Sequence, residues 1–128
     1  MKLGEKQVLM MEKEVDFGVY LGTESEHVLL PKKQVPRGLE PGDPVEVFLY
    51  KDSRDRLIAT TNEPKLTLGG LAILEVIDTG KNGAFLDWGL EKDLFLPFRE
   101  QTTPVKKGDS ILVSLYIDKL SLIHISEP

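Results

Sequence analysis

The chain repeats itself. Gly18-Val19-Tyr20-Leu21 returns as Gly83-Ala84-Phe85-Leu86, Leu29-Leu30-Pro31 as Phe95-Leu96-Pro97, and Gly42-Asp43 as Gly108-Asp109. Leu3-Gly4 matches Leu68-Gly69 at the offset of 65 that also separates the two glycine-aromatic runs. Later pairs, including Tyr50 with Tyr116 and Asp52 with Asp118, stand 66 apart, so one residue is inserted between the glycine-aromatic run and the proline that follows. A period this long exceeds most solenoid repeats and points to two copies of one small domain. The repeat sets the domains at 1–62 and 68–119, with a polar linker at 63–67 and residues 120–128 left over. A domain of this size buries only about 60% of its unfolded surface, so each copy is expected to be modestly stable.

The local pattern is that of strands. Val45, Val47 and Leu49 alternate with Glu46, Phe48 and Tyr50, and Ile111, Val113, Leu115 and Ile117 alternate with Leu112, Ser114 and Tyr116, the period of two that places successive side chains on opposite faces. Val8–Met11 and Leu71–Val76 are apolar runs of strand length, and Arg56–Thr61 reads as the last strand of the first copy. Asn82-Gly83 is a hairpin signal. The Pro- and Gly-rich loops (Pro31 to Gly42, Pro97 to Gly108) leave room for a short helical turn, and no long helix is legible. Five short strands in about sixty residues close most economically into a barrel, which removes exposed sheet edges. The fold class is therefore all-β: two tandem five-stranded barrels of the OB type.

Asp16-Phe17-Gly18-Val19-Tyr20-Leu21, the Gly-Asp before a strand, and Asp52-Ser53-Arg54-Asp55-Arg56-Leu57 together resemble the S1 RNA-binding domain. More narrowly, Val28 to Pro36, Phe48 to Ser53 and Gly83 to Leu90 resemble the bacterial conserved virulence factor B family, whose members carry several such domains and are implicated in RNA binding and regulation of gene expression. The resemblance implies an RNA-binding face built from two aromatics on the second strand, a His on the third, and an Asp and Arg near the hairpin before the last strand. The first copy keeps Phe17, Tyr20, Asp52 and Arg56, with Pro31 at the slot assigned to the histidine. The second keeps Phe85 and Asp118, has Asn82 and Pro97 at the other slots, and lacks a recognisable Arg.

The chemistry supports that reading without the family. An exposed ring with a cation nearby offers a nucleobase a stacking surface and its phosphate an attraction. Tyr20 with Arg56, and Phe85 with Lys81 or Arg99, are such pairs, and Lys32 and Lys33 in the proline loop are positioned to line a path. The bland readings are that the aromatics are core, the lysines a solvated loop, Trp88 packing, and Asp52 and Asp118 turn caps. His27, beside Glu24-Ser25-Glu26, reads as a loop-edge residue. The balance of 16 Lys plus Arg against 21 Asp plus Glu, net −5, argues against a strong generic polyanion binder and calls for weak or local attraction.

Neither histidine has metal-site spacing, there is no cysteine, and no phosphate-binding glycine motif follows a strand, so neither an enzyme nor a cofactor is expected. The N-terminus lacks a secretory pattern and no apolar run reaches membrane-span length, so a cytoplasmic protein without membrane contact is expected. The end breaks the repeat: Leu120 to Pro128 does not match Arg54 to Thr60 and looks like adaptor read-through replacing the true continuation. The second barrel is thus expected to lack its native last strand, unless the tail's alternation fills that place. Two functions follow: a regulator that binds single-stranded RNA, with DNA as the open alternative, or a protein-interaction adaptor of OB type.

Overall fold

The computed structural model describes residues 1–52, 54–118 and 123–128. It divides into two compact units, Met1–Asn62 and Glu63–Pro128. The first holds β1 (Lys6–Val15), β2 (Gly18–Gly22), β3 (His27–Pro31), β4 (Pro44–Lys51) and β5 (Leu57–Thr60). They form a closed barrel in the order β1-β2-β3-β5-β4, antiparallel except for β3 against β5. The second holds β6 (Leu71–Gly80), β7 (Gly83–Asp87), β8 (Leu94–Pro97), β9 (Ser110–Ile117) and β10 (Ile123–Ser126) in the equivalent order β10-β9-β6-β7-β8. Because β10 lies beside β8, the sheet curls into a second five-stranded barrel. Among the described residues this last seam carries no strand ladder, unlike its counterpart in the first unit.

Alternation fills the cores. Val19 and Leu21 of β2, Val28 and Leu30 of β3, Val45, Val47 and Leu49 of β4, and Ala59 of β5 form one buried cluster with Met11. Leu74, Val76, Ala84, Leu86, Leu96, Val113, Leu115 and Ile125 are the buried counterparts in the second unit. Ile125 belongs to the tail that departs from the repeat. Residues 123–126 nevertheless occupy the last-strand position, paired with β9 from Ile117 to Ser114, because one apolar residue at the right parity suffices to enter the core. The Glu127 N–H then donates to the Glu100 carbonyl (3.1 Å). Ser53 of the motif, and the readings placed on Lys119, Leu120 and Leu122, fall outside the described residues.

The repeated glycines have repeated reasons. A Cβ on Gly18 would lie 2.2 Å from the Leu30 carbonyl oxygen, and one on Gly83 2.3 Å from that of Leu96. The β2–β3 and β7–β8 crossings thus require the missing side chain. Gly42 and Gly108, at φ of +93° and +95°, begin a clasp. The Gly42 N–H donates to the Met11 carbonyl and the Met11 N–H to that of Asp43, while Gly108, Val76 and Asp109 do the same, all at 2.8 Å. The aspartate carboxylates close each turn on the N–H of Glu40 and of Lys106 at 2.9 Å.

Both short helical turns expected in the proline loops are present, at Lys32–Gln34 and Phe98–Glu100. The hairpin signal is displaced by one residue: Gly80 pairs with Gly83, so the turn is Lys81-Asn82, and its counterpart in the first unit is Asp16-Phe17, with Val15 paired to Gly18. The 63–67 segment is drawn onto the second unit, with Leu66 buried and the Lys65 N–H on the Trp88 carbonyl (2.7 Å). No helix of the described residues is long and apolar enough to cross a membrane.

Candidate nucleic-acid interface

With Val19 and Leu21 committed to the core, parity turns Tyr20 to the outside of β2, where it is half-buried. Its neighbours fix the ring. Phe17 meets it edge-on at 6.4 Å, His27 packs at 4.4 Å with the planes at 50°, and the Lys13 ammonium sits 5.7 Å from its centroid. Phe17 is 57% exposed and stands on the hairpin tip, not on the second strand as the resemblance implied, because Gly18 is the first residue the ladder can hold. Its carbonyl accepts the Lys32 N–H at 3.0 Å, tying the tip to the 3₁₀ turn that carries the exposed Lys32 and Lys33. Between them is an open cavity of about 300 Å³ lined by Glu14, Asp16, Gly18, Lys32 and Val35.

The ring on β2 faces Leu29, whereas Pro31, the slot assigned to the histidine, lies opposite Gly18. Leu29 in turn pairs in parallel with Ile58, so Tyr20, Leu29 and Ile58 form one row across β2, β3 and β5. His27, packed on the Tyr20 ring, is part of this face rather than a loop edge, and Arg56 directly precedes β5. Its Nδ1 is 3.5 Å from Glu12 Oε2, an oxygen that is enclosed without a hydrogen-bond partner.

Asp52 and Arg56 are brought together at the turn into β5. One carboxylate oxygen accepts the N–H groups of Arg54 (2.9 Å) and Arg56 (3.0 Å), the other Arg56 Nε (3.0 Å). Burial alone would raise this carboxyl, but the backbone N–H groups of Arg56 and Arg54, then the Arg56 side chain, outweigh it and hold it below the usual carboxylate range. Asp52 is thus engaged as a turn cap, while the Arg56 side chain stays 68% exposed.

In the second unit Phe85 is 37% exposed and packs at 5.2 Å against Phe95, its partner on β8, which is 38% exposed. Phe98 (49% exposed) and Arg99 occupy the 3₁₀ turn beyond, with Arg99 Nε 3.9 Å from Glu100. Phe95 was missed from sequence, although its signal was there: an aromatic between the inward Leu94 and Leu96, where the first copy has Leu29. Trp88 is enclosed and donates Nε1–H to the Lys92 carbonyl (2.6 Å). Among the described residues no cluster of His, Asp and Glu is arranged to hold a metal ion.

Two copies of a small barrel with a half-exposed aromatic on the second strand define a class, and the comparisons agree with it. The S1 domain profile matches residues 3–62 and 68–123, and the chain belongs to the S1 domain family. It is 32% identical over 123 residues to YitL of Bacillus subtilis, which aligns 91% of this chain and 41% of that protein. It is 34% identical over 86 residues to conserved virulence factor B of Staphylococcus haemolyticus and of Staphylococcus aureus, 63% of this chain and 28% of theirs. A multidomain protein with nucleic acid binding domains from Streptococcus pneumoniae superposes with a TM-score of 0.80 at 25% identity, over 98% of this chain and 46% of that one. The chain therefore spans less than half the length of each of these relatives.

Proposed function

We propose that this chain is a nucleic-acid-binding regulatory module that holds single-stranded RNA on the outer face of its first barrel, with Phe17 and Tyr20 as the stacking platform. The observation that carries the reading is Tyr20 itself, outside the core and braced by Phe17, His27 and Lys13, on a barrel whose Arg56 side chain stays exposed. A ring fixed before binding loses little freedom when a base stacks on it, and such stacking is worth about 1–3 kcal/mol per base. Membership of a family of binding modules, and likeness to a protein described by its nucleic acid binding domains, support the same class.

The net charge of −5 sets the electrostatics. If about three phosphates are neutralised, log affinity falls against log salt with a slope of roughly −2 for a single strand. The test is anisotropy of a labelled oligouridylate at low salt, since the enclosed Trp88 is a poor reporter of events on the first unit. Tyr20→Ala is expected to weaken binding by about 1–3 kcal/mol. An unmodified chain that binds no RNA would favour the adaptor reading instead.

A further inference from the structure

The two units place one position under opposite charge. Each first strand carries a bulge, where the register steps from Met11↔Leu21 to Lys13↔Tyr20 and from Val76↔Leu86 to Asp78↔Phe85. The Gly-Asp clasps described above grip the strand on the near side of both bulges, through Met11 and Val76. A bulge re-aims the side chain that follows it, and directly opposed residues share a face. Lys13 and Asp78 are therefore equivalents, each exposed and each beside the outward ring of its unit.

Their surroundings sharpen the contrast. Lys13 holds its ammonium 5.7 Å from the Tyr20 centroid, and among the described residues no carboxylate lies within ion-pair distance of it. Arg56 is already offset by Asp52, which leaves Lys13 as the uncompensated cation braced against the platform ring. Asp78 puts a carboxylate in that place, held by the Thr79 N–H at 2.9 Å. Among the described residues no cation lies over Phe85 or Phe95. Charges act over a Debye length of about 8–10 Å at physiological salt, so the local residue outweighs a net charge spread over the whole surface.

We propose that the residue after the bulge sorts the two barrels: Lys13 makes the first the phosphate-binding copy, and Asp78 closes the aromatic face of the second to a polyanion. This rests on the RNA reading above and adds a residue and a division of labour to it.

The test measures the salt dependence of oligouridylate binding to the whole chain, with thermal melting as the folding control. Lys13→Gln is expected to flatten the slope by about 0.7, the loss of one phosphate contact on a single strand, and Lys13→Arg to restore it. Asp78→Lys is expected to steepen the slope by about 0.7 and to make Phe85→Ala newly costly to affinity. If Tyr20→Ala weakens binding while Lys13→Gln leaves the slope unchanged, the sorting role of Lys13 is overturned and the RNA reading stands. If Asp78→Lys gains nothing, the role of Asp78 is overturned in the same way. If the native chain binds no RNA, both fall together.

Discussion

At the scale of the residue, Gly18 and Gly83 bear the tightest constraint. An alanine at either must displace a backbone carbonyl only 2.2 or 2.3 Å away, so each substitution is expected to cost more than the roughly 1 kcal/mol of an ordinary mutation, read as a lowered urea midpoint. Leu30, fully enclosed in the first core, is expected to cost about 2–5 kcal/mol on truncation to alanine. Asp52 carries a pH signature. Its folded pKa is depressed, so its contribution is complete above the unfolded value near 4 and fades as pH falls through that value and below it. Urea midpoints of native protein and Asp52→Asn should therefore differ at neutral pH and converge in acid. A gap that persists unchanged at low pH would mean that the carboxylate charge is not what holds the turn.

At the scale of the element, what was legible in sequence was whatever the repeat duplicated. Gly42-Asp43 and Gly108-Asp109 were marked by recurrence, and the clasp explains why both residues recur. Removing either carboxylate leaves the N–H of Glu40 or Lys106 without its partner, so Asp43→Ala and Asp109→Ala should each cost about 1 kcal/mol by urea melting. The bulges were not legible, because a slipped register is a relation between two strands and neither Glu12 nor Ile77 differs in kind from an ordinary strand residue. For the same reason the histidine slot was put at Pro31, two ladder positions away from Leu29, the residue that faces Tyr20. Asn82-Gly83 suggested a turn one residue too far along, since Gly83 is needed inside the strand by the close approach of β8. The tail was unreadable as β10 from the repeat, and among its described residues the inward Ile125 ties it to the core.

At the scale of the whole molecule, duplication of fold has not duplicated the surface. Both units present an outward ring at the same place on the second strand, but one is a tyrosine braced by a lysine and the other a phenylalanine pair beside a carboxylate. Strand number, barrel class and the candidate ring could be read along the chain. The partners that decide what each ring can do, His27 and Lys13 for Tyr20 and Phe95 and Asp78 for Phe85, come from other strands and needed coordinates. Exposed Leu71, Ile73 and Leu112 lie on β6 and β9 of the second unit and supply an internal control for a face on the first. The most direct measurement is the map of backbone amide shifts as a short oligouridylate is added to isotopically labelled protein. The account predicts that Lys13, Phe17, Tyr20, His27, Leu29 and Arg56 move while Leu71, Ile73 and Leu112 do not; shifts confined to the second unit, or none at all, would contradict it.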